Sequence, residues 1–207
     1  MIKYVCIEGN IGVGKSSIAA RLAEELKGHF LPEEFEENPL LPLFYKDPVK
    51  FAFPVEFSFL LDRFRQLKKW EETICNGLVI SDYYFEKCLY FAKVNLNEKD
   101  YTVFEEKFSL LNKEIKHPDL LVFINLDLAQ TRENIKKRNR EYEQTFPGDY
   151  LVKLSMHYNE ALKKERSFKV LSFILSGNEQ RIYDNLFDEL RTYILNPSAH
   201  RFVEMNL

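Results

Sequence analysis

The chain has 207 residues, of which 45% are hydrophobic and 29% charged, and it carries a formal net charge of -3 at pH 7. This length and composition are typical of one soluble globular domain, and the weakly negative charge excludes an overall basic field for long nucleic acid. No apolar stretch reaches the about 18 residues that a membrane span needs, and the N-terminus resembles neither a signal nor a transit peptide, so we expect a cytoplasmic protein.

Taken in chain order, the hydrophobic pattern alternates between strands and helices. Strands are predicted at short β-branched or aromatic runs, and helices where apolar residues recur at intervals of three and four. The predicted elements are a strand at residues 3–7, a helix at 16–27, a strand at 29–31, helical turns at 40–45, a helix at 49–76 that contains Pro54, a strand at 78–81, helices at 84–94 and 101–116, a strand at 120–126, helices at 129–138 and 150–165, a strand at 169–175 and a helix at 179–195. The tail from about residue 196 lacks periodicity, and we expect it to be poorly ordered.

Strands that alternate with helices predict an α/β fold. We expect a three-layer architecture in which a central parallel sheet of five strands has helices on both faces. The chain shows no repeat, linker or low-complexity stretch, so residues 1–207 are predicted to form one domain.

A phosphate-binding loop is predicted directly after the first strand. The pattern is a glycine, four residues and then Gly-Lys-Ser, and it continues into the first predicted helix. Glycines let the backbone fold around an anion, the lysine reaches the β- and γ-phosphates, and the serine hydroxyl is a ligand for Mg²⁺. The residues expected to bind ATP are Gly9, Asn10, Ile11, Gly12, Val13, Gly14, Lys15, Ser16 and Ser17. With this loop, the predicted fold is that of a P-loop NTPase.

Several segments make the chain resemble the deoxynucleoside kinases, a family that includes deoxycytidine, deoxyguanosine and bacterial deoxyadenosine kinases. The similarity runs in order from residue 2 to about 165, and its segments are residues 7–12, 33–39, 44–48, 59–64 and 135–143. The resemblance implies a kinase that uses ATP and Mg²⁺ to phosphorylate the 5′-hydroxyl of a deoxynucleoside. Because family members are commonly dimers through helices like the one predicted at 49–76, it also implies a homodimer.

The resemblance gives Glu33 the position of the glutamate that accepts the proton from the sugar 5′-hydroxyl. A carboxylate that ends a strand near the phosphate-binding loop can orient the attacking oxygen, which agrees with this role. Glu33 is also one acid among the four of a polar turn, in the sequence Glu-Glu-Phe-Glu-Glu. Glu34 is its main competitor.

The same resemblance assigns Tyr45 and Glu143 to the sugar 3′-hydroxyl. Core packing is the alternative for Tyr45, and an exposed loop charge is the alternative for Glu143. Arg138 and Arg140 match arginines of a basic lid, at about residues 138–147, that meet the phosphates of the donor. Guanidinium groups suit phosphate oxygens and neutralise charge that develops during transfer. A solvated basic helix end is the other interpretation of these two arginines.

Two residues expected beside the base depart from the family pattern. Glu56 stands where family members usually carry glutamine, and Lys87 stands where an aspartate is expected, whereas Arg63 is in its expected place. A glutamine amide offers a donor and an acceptor, but an ionised carboxylate only accepts. The exchange of charge predicts either an internal ion pair between Glu56 and Lys87 or a changed base preference, in which Glu56 accepts from N1 and N2 of guanine.

A third departure follows the strand predicted at 78–81. Family members have an acidic residue followed by an arginine that steadies phosphate, but here Asp82 is followed by Tyr83. Either Lys87 or a lid arginine replaces the missing charge, or catalysis is weakened. Asp82 is expected to hold Mg²⁺ through water or, alternatively, to cap the following helix.

Two other functions compete with that of a deoxynucleoside kinase. Residues 79–82 and the basic segment also resemble thymidylate-type monophosphate kinases, but those enzymes need an arginine for the incoming phosphate, and Tyr83 replaces it. An acidic Glu33 also suits a neutral hydroxyl better than a charged phosphate. The alternative from another class is a regulatory module that binds ATP without turning it over, which the departures in the acceptor site motivate.

Overall fold

The computed structural model of the protein describes residues 2–34, 38–73, 77–140, 149–162, 164, 168–177 and 179–207. Its strands are β1 (Tyr4–Gly9), β2 (His29–Leu31), β3 (Val79–Ser81), β4 (Leu120–Leu126), β5 (Lys169–Leu175) and β6 (Phe202–Asn206). Its helices are α1 (Lys15–Glu25), α2 (Leu41–Lys46), α3 (Pro48–Thr73), α4 (Lys87–Asn95), α5 (Glu98–Asn112), α6 (Leu128–Arg138), α7 (Tyr150–Leu162) and α8 (Gln180–Leu195).

The strands form one sheet in the order β2-β3-β1-β4-β5-β6, and every neighbouring pair is parallel. The carboxyl ends of all strands therefore lie at the same edge of the sheet. Because β1 lies between β3 and β4, the chain order reverses at β1, and in sheets of this kind ligands bind in the crevice at that point. The loop after β1 and the residues after β2 and β3 meet there.

Helices cover both faces of the sheet because alternate strand residues are buried on opposite sides. Val5 and Ile7 of β1 pack in a cluster with buried residues of α1 and α8, such as Leu22 and Leu190. Tyr4 and Cys6 belong to the opposite cluster, which contains Leu60, Trp70, Cys88, Phe104 and Phe108 of α3, α4 and α5. The predicted three-layer α/β architecture is confirmed.

The prediction of five strands is wrong by one strand. The tail after residue 196, expected to be poorly ordered, contributes β6, whose Phe202 to Asn206 pair in parallel with Val170 to Ile174 of β5. The side chains of β6 alternate between exposed and half-buried, so the segment lacks the apolar run that marks the other strands. Pairing with the edge of β5, rather than burial, defines this strand.

No helix in the described residues combines the length and the apolar character needed to cross a membrane.

Candidate active site

The phosphate-binding loop is shaped by close contacts that exclude any side chain at two of its glycines. A Cβ atom on Gly9 would lie 2.4 Å from the carbonyl oxygen of Ile124 in β4. Gly12 has a φ of +85°, and a Cβ atom there would lie 2.9 Å from both Ile135 and the carbonyl oxygen of Thr131 in α6. The loop therefore lies directly against β4 and α6, which only glycine allows.

The first turn of α1 lines the cavity beside the loop. Gly14 is the N-cap, with a φ of 87° and no side chain that caps the helix. The amide N–H groups at the start of a helix have no partners within the helix, and they carry the positive end of its dipole. They form an anion site of the kind that phosphate groups occupy.

Lys15 folds back over the loop that precedes it. Its Nζ atom donates to the carbonyl oxygens of Gly9 and Asn10, at 2.8 and 3.0 Å, and lies 3.9 Å from a carboxylate oxygen of Glu8. Burial, followed by the nearby charge of Lys87, lowers the pKa of Lys15 to about 8. The Glu8 carboxylate only partly offsets these effects, and an anionic ligand would add negative charge that favours the ammonium form.

Helix α7 holds the base of the loop in place. The buried carboxylate of Glu8 accepts hydrogen bonds from the amide of Tyr84, at 2.9 Å, and from the hydroxyl of Tyr158 in α7, at 3.1 Å. The side-chain amide of Asn10 donates to the carbonyl oxygen of Leu151 in α7, at 3.0 Å. These bonds connect the loop to the helix that follows residues 141–148.

Glu33 lies between two cations just beyond the end of β2. Its Oε2 atom accepts from Nζ of Lys87 at 2.6 Å, and its Oε1 atom accepts from Nε of Arg63 at 3.0 Å and from Nη2 of the same guanidinium at 2.5 Å. Burial alone would raise the pKa of Glu33, but Lys87 and Arg63 outweigh it and lower the pKa to about 2. Glu33 is therefore a charged acceptor at neutral pH.

Asp82 positions Glu33 through the backbone. One of its carboxylate oxygens accepts the amide N–H of Glu33 at 2.6 Å, and the side chain is buried behind that residue. The alternative role of Asp82 as a helix cap is wrong, because α4 begins only at Lys87 and Asp82 bonds across to the end of β2 instead.

A cavity of about 390 Å³ joins the loop to the predicted acceptor residues. Its loop end is formed by Ile11, Gly12, Gly14, Lys15, Ser16 and Ser17. Its apolar end is formed by Leu41, Phe44, Val55, Phe59 and Phe91, from α2, α3 and α4. Glu33, Arg63 and Lys87 also line it, and the electrostatic coupling of Lys15 to both Glu33 and Lys87 connects them to the loop end.

Glu56 is the acidic residue that accompanies the apolar end. Its side chain is 3% exposed, and its Oε1 atom accepts from the amide of Asn95 at 2.6 Å. The same amide group lies 3.3 Å from the hydroxyl of Tyr150, the first residue of α7. Burial raises the pKa of Glu56 to about 7, against the lowering effects of Asn95, Arg63 and Lys87.

The ion pair predicted between Glu56 and Lys87 is not formed. Lys87 pairs with Glu33 instead, because the start of α4 directs its side chain to the end of β2. Tyr83 is not placed where it could contact phosphate, which is the expected role of the arginine that it replaces. Its side chain is fully buried in the cluster beneath the sheet, with Tyr4 and Cys6, and does not line the cavity.

The remaining predicted residues divide between the cavity and the undescribed part of the chain. Tyr45 lines the cavity at the end of α2, where its ring also contacts Phe44 edge-on at 5.3 Å. Arg138, the last residue of α6, and Arg140 line it as well. Glu143 and most of the lid predicted at about 138–147 lie outside the described residues.

Asn95, Tyr150 and Asn134 are cavity residues that the sequence did not single out. Asn134 donates its side-chain amide to the carbonyl oxygen of Gly12 at 2.9 Å and so braces the loop from α6. Each is a polar residue within or at the end of an amphipathic helix, and no local pattern distinguishes it from a solvent-exposed neighbour. Their places follow only from the way the helices pack.

Comparisons with known proteins agree with this arrangement. A sequence model of the family described as deoxynucleoside kinase matches residues 5–196. A deoxyguanosine kinase from Bacillus subtilis is 30% identical over 166 residues, which cover 78% of this chain and 79% of that protein. A deoxyadenosine kinase from Lactobacillus acidophilus is 33% identical over 172 residues, covering 76% of this chain and 79% of that protein.

The fold is shared with a solved structure of deoxyadenosine kinase from M. mycoides. The TM-score is 0.78, with 24% sequence identity, and the similarity covers 91% of this chain and 99% of that one. The predicted P-loop fold is therefore confirmed. The extent of the family match and the identity to curated relatives lead to one conclusion: this chain belongs to the deoxynucleoside kinase family.

Proposed function

We propose that the protein transfers the γ-phosphoryl group of ATP to the 5′-hydroxyl of a deoxynucleoside. The observation that carries the proposal is the single cavity that contains both the phosphate-binding loop and the Glu33–Arg63–Lys87 cluster. Phosphoryl transfer depends mainly on positioning and on electrostatic stabilisation, and these two groups supply both.

On the donor side, the loop and α1 hold the phosphates. The N–H groups at the start of α1 face the anion, and Lys15 leaves the carbonyl oxygens of Gly9 and Asn10 to reach the β- and γ-phosphates. Phosphate oxygens would restore the pKa of Lys15 above its present value of about 8. Arg138 and Arg140, on the cavity wall, then stabilise charge on the transferring group.

On the acceptor side, Glu33 orients the 5′-hydroxyl. Arg63 donates twice to Oε1 and Lys87 once to Oε2, so one lone pair of Oε2 is left to accept the hydroxyl hydrogen. With a pKa of about 2, the carboxylate is a weak base. We propose that it aligns the oxygen and receives the proton late, as a loose transition state requires. Tyr45, on the cavity wall, is proposed to contact the sugar, together with Glu143.

The oxygens at the loop end fit a magnesium ion that is held mainly by phosphates and water. Ser16 lines the cavity and is proposed to supply its hydroxyl. Asp82 is buried behind Glu33 and does not line the cavity; one of its carboxylate oxygens accepts the Glu33 amide, and the other is proposed to act through water. The described residues contain no cluster of three or more His, Cys, Asp and Glu, and Mg²⁺ in kinases does not need one. When bound, the ion neutralises charge on the β- and γ-phosphates.

Lys87 is proposed to supply the positive charge that Tyr83 lacks. Its ammonium group lies close enough to Lys15 to lower the pKa of that residue, so it acts on the same region of the cavity as the loop. A shift of its hydrogen bond from Glu33 toward phosphate would free an acceptor for the 5′-hydroxyl. The homodimer, the cytoplasmic location and the absence of long nucleic acid and membrane as partners remain parts of this proposal.

An acceptor panel tests the proposed function. The purified protein is incubated with ATP and Mg²⁺ against each deoxynucleoside and each deoxynucleoside monophosphate, and ADP and the nucleotide product are measured. We expect ADP only with one or more nucleosides, together with the matching 5′-monophosphate. ADP formed only with a monophosphate would identify a monophosphate kinase. Saturable ATP binding without any acceptor-dependent ADP would instead support the regulatory module.

A further inference from the structure

Glu56, at the apolar end of the cavity, is a buried carboxyl group without an ion-pair partner among the described residues. Glu56 is 3% exposed, and among the described residues its hydrogen-bond partner is the neutral amide of Asn95. None of the described cations lies within ion-pairing distance of it. A carboxylate that is buried without a cation is strongly disfavoured relative to its protonated form.

The two nearest cations are already engaged elsewhere. Lys87 and both donor nitrogens of Arg63 on that side bind Glu33, and the remaining Arg63 nitrogen Nη1 lies 3.2 Å from the sulfur of Cys88. Glu33 therefore takes the direct contacts with Arg63 and Lys87 that would otherwise stabilise an ionised Glu56. Arg63 and Lys87 still favour the ionised form of Glu56 from a distance, but burial outweighs them because neither cation contacts its carboxylate.

The groups that face Glu56 come from three helices, and only two of these groups carry a charge. Arg63 of α3, Lys87 and Cys88 of α4, and Tyr150 of α7 are its electrostatic neighbours. Burial raises the pKa of both Cys88 and Tyr150, so both are neutral at the pH values considered below. Tyr45, Arg138 and Arg140 line the same cavity.

We propose that Glu56 reads the base as a carboxylic acid, with one donor and one acceptor, and that its ionisation switches the preferred base. The inference rests on the proposed function, because a nucleoside with its 5′-hydroxyl at Glu33 has only the apolar end left for its base. The flat phenyl rings of Phe59 and Phe91 on that wall suit such a planar group.

The two forms of Glu56 match different base edges. Asn95 holds Oε1, so the acid donates from Oε2 and accepts with the second lone pair of Oε1. Adenine and cytosine present the complementary edge, an unprotonated ring nitrogen beside an amino group. The carboxylate only accepts, which matches the adjacent N–H groups at N1 and N2 of guanine. The guanine preference expected from the sequence then belongs to the ionised form alone.

The pH dependence follows from the pKa of about 7. Below it the acid form predominates, and above it the carboxylate does. Between about pH 6 and pH 8 the ratio of acid to carboxylate falls about 100-fold. The ratio of kcat/KM for deoxyadenosine to kcat/KM for deoxyguanosine should therefore also fall as the pH rises over this range. This ratio cancels the titration of Lys15, because both nucleosides share the same donor site.

The experiment measures this ratio from about pH 6 to pH 8 for the parent and two variants. Glu56→Gln keeps a donor and an acceptor but does not titrate, so we expect a high ratio that stays constant with pH. Glu106→Gln, at an exposed position of α5, is the matched control and should retain the fall seen in the parent. A parent ratio that is constant with pH, or that rises, would overturn the proposal.

A second measurement keeps this test independent of activity. The infrared difference spectrum between the parent and Glu56→Gln should contain the C=O stretch of a protonated carboxyl group at about pH 6 and lose it at about pH 8. If no nucleoside is phosphorylated at any pH, the proposed function fails, and this band still decides the state of Glu56. Absence of the band at the lower pH would overturn the inference.

Discussion

The loop end and the apolar end of the cavity are built in different ways. The loop end comes from one continuous segment, in which backbone N–H groups and Lys15 are proposed to bind phosphate and close contacts at Gly9 and Gly12 allow no side chain. The apolar end comes from side chains of α2, α3 and α4, with Asn95 and Tyr150 beside it.

We infer from this difference that a kinase of this family changes its substrate at the apolar end. Backbone N–H groups are the same whatever the side chain, and Gly9 and Gly12 accept no side chain, whereas a site made from side chains can exchange one group for another. Two of the three departures from the family pattern, Glu56 and Lys87, line the cavity beyond the loop, whereas the third, Tyr83, is buried away from it. Glu33 lies at the boundary between the two ends, because it pairs with Arg63 and Lys87 and is also electrostatically coupled to Lys15 of the loop.

The largest effect is expected at the loop end. Lys15→Met removes the ammonium group that is proposed to reach the phosphates, and we expect kcat to fall about 10³-fold with the fold retained. Lys153→Met is the matched control, because that lysine is 58% exposed on α7 and should change kcat little. A near-parental kcat for Lys15→Met would remove the loop from the mechanism.

Glu33→Gln probes the boundary between the two ends. We expect kcat to fall about 10²-fold, because the neutral amide orients the hydroxyl poorly. The free energy of unfolding should also fall by about 3 kcal/mol, because the buried charges of Arg63 and Lys87 lose their counter-charge. Kinetics and denaturant unfolding measure the two effects separately.

Glu34→Gln is the control for that substitution. Glu34 is the exposed neighbour of Glu33, and neither turnover nor stability should change when it becomes neutral. The opposite pattern, with turnover lost in Glu34→Gln and kept in Glu33→Gln, would transfer the orienting role to Glu34.

Tyr83→Phe should have the smallest effect on catalysis. The Tyr83 hydroxyl is buried without a hydrogen-bond partner among the described residues, so its removal should leave kcat unchanged and stabilise the fold by about 1 kcal/mol. Tyr158→Phe, which removes a hydroxyl bonded to Glu8, should instead destabilise it by a similar amount. A loss of kcat in Tyr83→Phe would place Tyr83 in the acceptor site after all.

Local patterns were sufficient to predict most of the fold and the loop end. The predicted bounds of the strands at 29–31, 120–126 and 169–175 are those of the structure. Each of these strands is a run of mainly apolar residues with turn signals at its ends. The loop is a contiguous motif whose spacing reflects its own geometry. The sequence does not predict β6, because its side chains alternate between exposed and half-buried. The strand forms by pairing with the edge of β5, which a local pattern does not indicate.

The apolar end could not be predicted in the same way. The partner of Lys87 is Glu33, 54 positions earlier, whereas the exchange of charge predicted a pair with Glu56 as one of two alternatives. Asn95 reaches Glu56 across 39 positions and Tyr150 across 55. Such pairings depend on how α3, α4 and α7 pack on the sheet, and neither composition nor periodicity contains that information.

The most direct test of the central claim compares a deoxynucleoside with its 5′-deoxy analogue. The acceptor that performs best in the panel is incubated with the protein, ATP and Mg²⁺, and ADP is measured for it and for the same nucleoside lacking the 5′-oxygen. We predict ADP with the nucleoside, and none above background with the analogue, which should inhibit by occupying the same cavity. Equal ADP formation from both would contradict transfer to the 5′-hydroxyl.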